Sequence, residues 1–159
     1  MSAFAGRAWA RLRRHDDGGN AIVEFVFVAV IVLLPLVYLI VAVSVVQNSR
    51  LAVTQAAREA GRAFATSDTA GDATVRLRAA VRIALADQGL PDDVTVRFVA
   101  AGSDCAAAAV EPLLRPGATF VVCVSRHVDV PAVPSVLQGR GITTVGRFVV
   151  HVDDFRAVP

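Results

Sequence analysis

The chain has 159 residues, enough for one domain, with 55% hydrophobic and only 19% charged residues. Soluble domains average about 45–50% apolar and roughly 25% charged, so this composition excludes a disordered chain and makes an ordinary soluble protein a poor fit. The formal net charge of +2 is too small, and its sixteen arginines too dispersed, to mark a nucleic-acid-binding surface.

The apolar excess is local. Ala21 to Val46 holds 23 apolar residues in 26, broken only by Glu24, Pro35 and Ser44. At 1.5 Å per residue such a helix reaches about 39 Å, more than a hydrocarbon core of roughly 30 Å requires. The run therefore predicts a membrane-spanning helix. Pro35 inside it removes one backbone hydrogen bond and is expected to kink it. Arg7, Arg11, Arg13 and Arg14 precede the span, whereas only Arg50 follows closely. That asymmetry predicts a cytoplasmic N-terminus and an exported C-terminal part. Ala42-Val43-Ser44 resembles a signal-peptidase site, but the apolar segment before it is longer than the 7–15 residues of a cleaved signal. No cysteine near the run offers a lipid attachment point.

The head of the run is unusual. Gly18-Gly19 is followed by Asn20-Ala21-Ile22-Val23-Glu24-Phe25 and then by the rest of the apolar run. A carboxylate in a spanning segment costs about 2.5–3.5 kcal/mol near the bilayer centre, and less toward an end. An arginine-rich leader ending in glycine, then four residues, then Glu-Phe and an apolar helix resembles a type IV prepilin processing site. The resemblance implies cleavage by a membrane-embedded prepilin peptidase between Gly19 and Asn20. It also implies that Glu24, the fifth mature residue, pairs with the new N-terminal ammonium of a neighbouring subunit, with Phe25 beside it. Asp16, Asp17, Gly18 and Gly19 are weak helix formers, so an accessible, unwound cut site is expected.

Past the span, Leu51-Ala52-Val53-Thr54-Gln55-Ala56-Ala57-Arg58-Glu59-Ala60-Gly61-Arg62-Ala63 is similar to the stretch that follows the membrane helix in TadE-like pseudopilins of Tad, or Flp-type, pilus systems. The combined resemblance covers roughly residues 12–65. It implies partners of three kinds: a prepilin peptidase, other pilin or pseudopilin subunits, and membrane lipid. The expected organisation is a cytoplasmic leader over 1–19, a transmembrane helix over 20–46, a helical stalk over 47–66 and an exported domain over 67–159.

In the exported part, Asp72 reads as an N-cap for a helix over Ala73–Asp87, stopped by Gly89 and Pro91. Leu77, Ala80, Val81, Ala84 and Leu85 share its apolar face, and Arg78 and Arg82 form a basic ridge. Period-two alternation then predicts strands over Val94–Val99, Thr119–Val130 and Thr143–Asp153. Phe120, Val122, Val124, Val128 and Val130 form one face of the middle strand, and Gly146, Phe148, Val150 and Val152 one face of the last. The expected fold is α+β: a long N-terminal helix followed by a small domain of one helix on a three-stranded antiparallel sheet.

Cys105 and Cys123 stand in the exported part, where a single disulfide enclosing 17 residues is the simplest expectation. An intermolecular bridge and two free thiols are the alternatives. Nothing in the chain supplies a phosphate loop, an HExxH helix or a CxxC pair. His127/Asp129 and His151/Asp153 would gather into a metal-binding cluster only if strand register brought them together. No catalytic residue, cofactor site or metal site is therefore expected. The reading is a TadE-like minor pilin or pseudopilin at the cytoplasmic membrane, processed by a prepilin peptidase. A signal-anchored exported binding or structural protein unrelated to pili is the alternative.

Overall fold

A computed structural model describes residues 17–129 and 141–156, with residues 17–20 described by their backbone only. The leader over 1–16, the expected facing of Val130 and the turn around Pro131, Pro134 and Gly139 lie outside the described residues. The chain divides into two compact units, one ending at Val41 and the other running from Ala42.

The first unit is helical. Helix α1 spans Asp17–Val28, a π-helical turn spans Ala29–Leu33, and helix α2 begins at Leu34 and continues to Ala65. The π turn has an identifiable cause. Pro35 cannot donate to the carbonyl four residues back, and its ring would strike that carbonyl, so one extra residue in the preceding turn relieves both problems. The helix also begins earlier than glycine content suggests, because Gly18 and Gly19 lie within α1.

The second unit contains the rest of α2, helix α3 (Ala70–Ala86) and strands β1 (Val94–Ala100), β2 (Thr119–Val128) and β3 (Ile142–His151). The strands form an antiparallel meander in the order β1-β2-β3. Val96 faces Val124, and Val124 faces Gly146 across the two ladders. Both α2 and α3 contribute to the buried core over the sheet. Residues 47–66, expected as a stalk, thus supply Ala52, Val53, Ala56, Ala57, Ala60 and Phe64 to the core, each at most 2% exposed. From α3 come Ala73, Leu77, Val81, Ala84 and Leu85. Phe120, Val122 and Val124 of β2 and Val150 of β3 meet them, in agreement with the alternation of the strands.

Small residues let α2 approach the sheet closely. A Cβ on Gly146 of β3 would stand 2.0 Å from the Val53 carbonyl oxygen, and one on Gly61 of α2 would stand 2.5 Å from Phe148 Cδ1. Glycine within a strand marks such close backbone approach. One turn before Val53, Ser49 Oγ and Thr144 Oγ1 share a buried 2.8 Å hydrogen bond, and the Thr144 hydroxyl also donates to the Arg126 carbonyl at 3.3 Å. At the far end of α2, Phe64 packs with Phe98 and Phe120 at centroid separations of 5.6 and 5.3 Å. Arg156 closes that end by donating to the carbonyls of Ala65, Ser67 and Asp68, a favourable place for a cation.

Helix α3 is capped by Thr69, whose hydroxyl accepts from the Asp72 N–H at 3.2 Å. The cap is thus Thr69 and not Asp72, the residue the sequence pattern suggests. Asp72 instead lies in the first turn, where its carboxylate meets Arg76 at 3.7 Å and complements the helix dipole. The helix ends at Ala86 with Asp87 as its C-cap, and Gly89, whose φ of +67° is left-handed, turns the chain away from it.

Candidate functional site

Two sets of residues were singled out by sequence, and they lie in different units. The first is the head of the apolar helix. The Gly19–Asn20 bond falls inside the first turns of α1, so an extended cut site requires this end to unwind. Two adjacent glycines make that inexpensive, each being about 1 kcal/mol worse than alanine in a helix. Helical geometry places Glu24 one turn beyond Asn20 and on the same face. The Glu24 carboxylate is exposed and makes no ion pair among the described residues. Phe25 beside it is 73% exposed.

What surrounds Glu24 is apolar on every side. Every Val, Ile, Leu and Phe from Ile22 to Val43 is 46–73% exposed. A soluble monomer rarely exposes a contiguous apolar patch beyond a few hundred Å², and a helix apolar all round belongs in a core or a bilayer. The helix from Ala21 contains an 18-residue window of mean hydropathy 3.2, none of it buried. By length and composition it suits a single membrane span. Within it, Tyr38 Oη is shielded and has no hydrogen-bond partner among the described residues.

The second set is in the sheet. Cys105 and Cys123 stand at disulfide distance, with Cα atoms 5.8 Å apart. Cys123 occupies the β2 face turned away from the helices, buried with Val99 and Val121 and covered by Cys105 and Ala107. The covering loop is also held by Arg97 Nη2, which donates to the Ala107 carbonyl at 3.0 Å. Val110 N donates to the Phe98 carbonyl at 2.9 Å, extending the β1 edge. The bridge thus fastens a loop over the sheet's second face.

The histidines do not converge. Register sets His127 opposite Thr143 and His151 opposite Thr119, at opposite ends of the β2–β3 ladder. Eight strand residues separate them, about 26 Å. His127 Nε2 lies 3.5 Å from Asp129, while His151 Nε2 lies 3.4 Å from Asp154 and not from Asp153. Among the described residues no group of three or more His, Cys, Asp or Glu is placed to hold a metal ion.

Sequence reasoning missed the Ser49–Thr144 pair and the close approach of the Val53 backbone to Gly146. Glycine at the centre of an alternating strand was the available signal for the latter. With the geometry in place, comparison with known families is informative: residues 19–62 match the model of TadE-like protein. The match begins at the glycine of the expected cut and ends inside the stretch of α2 that packs on the sheet. No curated protein and no solved structure matches the chain.

Proposed function

We propose that this protein, TadE-like over residues 19–62, is a minor pilin or pseudopilin acting in assembly of a Tad or Flp-type pilus. Its N-terminus is cytoplasmic, one helix crosses the cytoplasmic membrane, and the α+β unit stands on the outer side. A prepilin peptidase hydrolyses the Gly19–Asn20 bond. Water adds at the Gly19 carbonyl, the C–N bond breaks, and the products are a Gly19 carboxylate and an Asn20 ammonium.

The observation that carries this reading is Glu24. It is an acid without an ion-pair partner among the described residues, one helical turn from Asn20, at the head of an otherwise apolar helix. Before cleavage the carboxylate imposes an insertion cost. Afterwards an ammonium of its own chain or of a neighbour offsets it. Opposite charges 4 Å apart attract by about 4 kcal/mol at an effective dielectric constant of 20. Lateral packing of the apolar helices brings subunits together without selecting a register, whereas a pair between Glu24 and a neighbour's Asn20 ammonium selects one.

The test is N-terminal sequencing and intact mass of the membrane-bound protein from cells containing a prepilin peptidase. The expected mature chain begins at Asn20, and Gly19→Val leaves the leader attached. A chain beginning at Ser2 beside an active peptidase, or at Val45 after signal-peptidase cleavage, would refute the proposal. Glu24→Val should be processed normally yet fail to enter sedimentable fibres.

A further inference from the structure

We infer that the end of the sheet nearest the apolar helix is a membrane-docking rim, seated in the polar interface of the bilayer from which the helix emerges. The inference rests on the proposal that the apolar run spans a membrane. Strand β3 and the buried face of α2 rise together: Ser49 bonds Thr144, and Val53 abuts Gly146. Two strand residues advance about 6.7 Å and four helix residues about 6.0 Å, so this pairing persists over a short distance. One step toward the apolar run sets Ile142 level with residues 45–46.

The side chains agree with that extrapolation. Ile142, 40% exposed, lines an open groove with Ala42, Val43, Val46, Gln47 and Arg50. All six belong to the unit that runs from Ala42. Ala42, Val43 and Val46 are also among the last apolar residues of the sequence run. The hydrocarbon boundary therefore falls at this groove, and the polar interface beyond it is only about 5–7 Å thick. Arg50 stands one turn past Val46, exposed and without an ion pair among the described residues. Its stem lies along apolar surface while its guanidinium reaches lipid phosphate, the usual arrangement of a snorkelling arginine. An apolar floor made of residues from the end of the apolar run, rimmed by Arg50, which has no ion pair among the described residues, matches a phospholipid interface. The domain then rests directly on the bilayer, with no free stalk below it.

The experiment uses the full chain in phosphatidylcholine–phosphatidylglycerol vesicles, with the Cys105–Cys123 bridge kept oxidised. An environment-sensitive fluorophore is attached at Leu39→Cys in the span, at Ile142→Cys on the rim, or at Ile83→Cys on the exposed face of α3. Each is challenged with nitroxide-labelled lipid and with aqueous iodide. Lipid quenching at positions 39 and 142, with iodide quenching confined to position 83, is the expected result. Adding Arg50→Gln should reduce lipid quenching at position 142 at least twofold. If position 39 is lipid-quenched but position 142 responds to iodide as position 83 does, the docking rim is refuted and the span survives. Shielding of position 142 from both quenchers assigns the rim to a protein partner and also refutes lipid docking. Absence of lipid quenching at position 39 overturns the membrane reading beneath both.

Discussion

Replacing Gly146 with alanine is the most direct challenge to the packing of α2 on the sheet. The new Cβ would stand 2.0 Å from the Val53 carbonyl oxygen, 2.2 Å from its carbon and 2.6 Å from the Thr54 nitrogen. All three are backbone atoms of a helix interior, so no rotamer change relieves the clash. Ordinary contact begins near 3.4 Å, which requires helix and strand to separate locally by about 1.4 Å, and a gap of 0.5–1 Å already forfeits a quarter to a half of a dispersion contact. Separation is resisted by the Ser49–Thr144 hydrogen bond on one side and by Phe64 on the other. The cost should therefore reach the upper part of the 1–3 kcal/mol range for overpacking, about 3 kcal/mol. Pulse proteolysis of the full chain in detergent, across a urea series, measures it. With a urea slope near 2 kcal/mol/M, the midpoint should fall by about 1.5 M. Gly71 provides the control, because a Cβ there meets nothing within 4 Å. Gly71→Ala should leave the midpoint unchanged or raise it slightly, by about 0.5 kcal/mol. A Gly146→Ala midpoint within about 0.3 M of the parent would refute the close approach of α2 to β3.

Phe64→Ala removes the ring shared by Phe98 and Phe120 and should destabilise by about 3–5 kcal/mol, read by the same urea series. Cys105→Ser should cost about 3 kcal/mol through the entropy of an 18-residue loop; a reductant should lower the parent's midpoint to that of the variant and leave the variant's unchanged. Thr69→Ala removes the α3 cap and should cost about 1 kcal/mol, whereas Asp72→Ala should cost less, since its pair with Arg76 is half-exposed.

The parts of the fold that were legible in the sequence are those with large, regularly spaced side chains. Phe120, Val122 and Val124 alternate with shorter or polar residues, and β2 buries them on the helix side as that pattern requires. Leu77, Val81 and Leu85 likewise identify the inner face of α3. What escaped was the role of residues 47–66. Their buried stripe of Ala52, Ala56, Ala57 and Ala60 recurs at helical spacing, but alanine contrasts weakly with its neighbours, so the segment resembles a solvated stalk. Its partner signal was a missing side chain, Gly146, and only the two together reveal a close helix–sheet contact. The cap was misplaced because Thr69 and Asp72 both suit an N-terminus, and only the hydrogen bond from the Asp72 amide to the Thr69 hydroxyl decides between them.

The same contrast gives the TadE-like match a physical content. Over Ala56 to Ala63, Ala56, Ala57, Ala60 and Gly61 are buried against the sheet, while Arg58, Glu59 and Arg62 are exposed. The matched segment therefore spans two kinds of helix surface. From Phe25 to Val46 it is apolar on every face except at Ser44, as hydrocarbon requires. From Gln47 it is two-faced, with small residues toward the strands and charges toward water. The change between these regimes occurs within about one turn, between Val46 and Arg50, and Ser49, the first buried contact with β3, lies in that turn. If the apolar run spans a bilayer as proposed, a domain whose first sheet contact coincides with the end of that run has no length of helix left over to hold it clear of the lipid. The depth of Ile142 is thus tied to the position of Val46 by the Ser49–Thr144 register, and moving the apolar boundary by one turn, as in Gln47→Leu with Arg50→Leu, should draw position 142 deeper into lipid by about 5 Å.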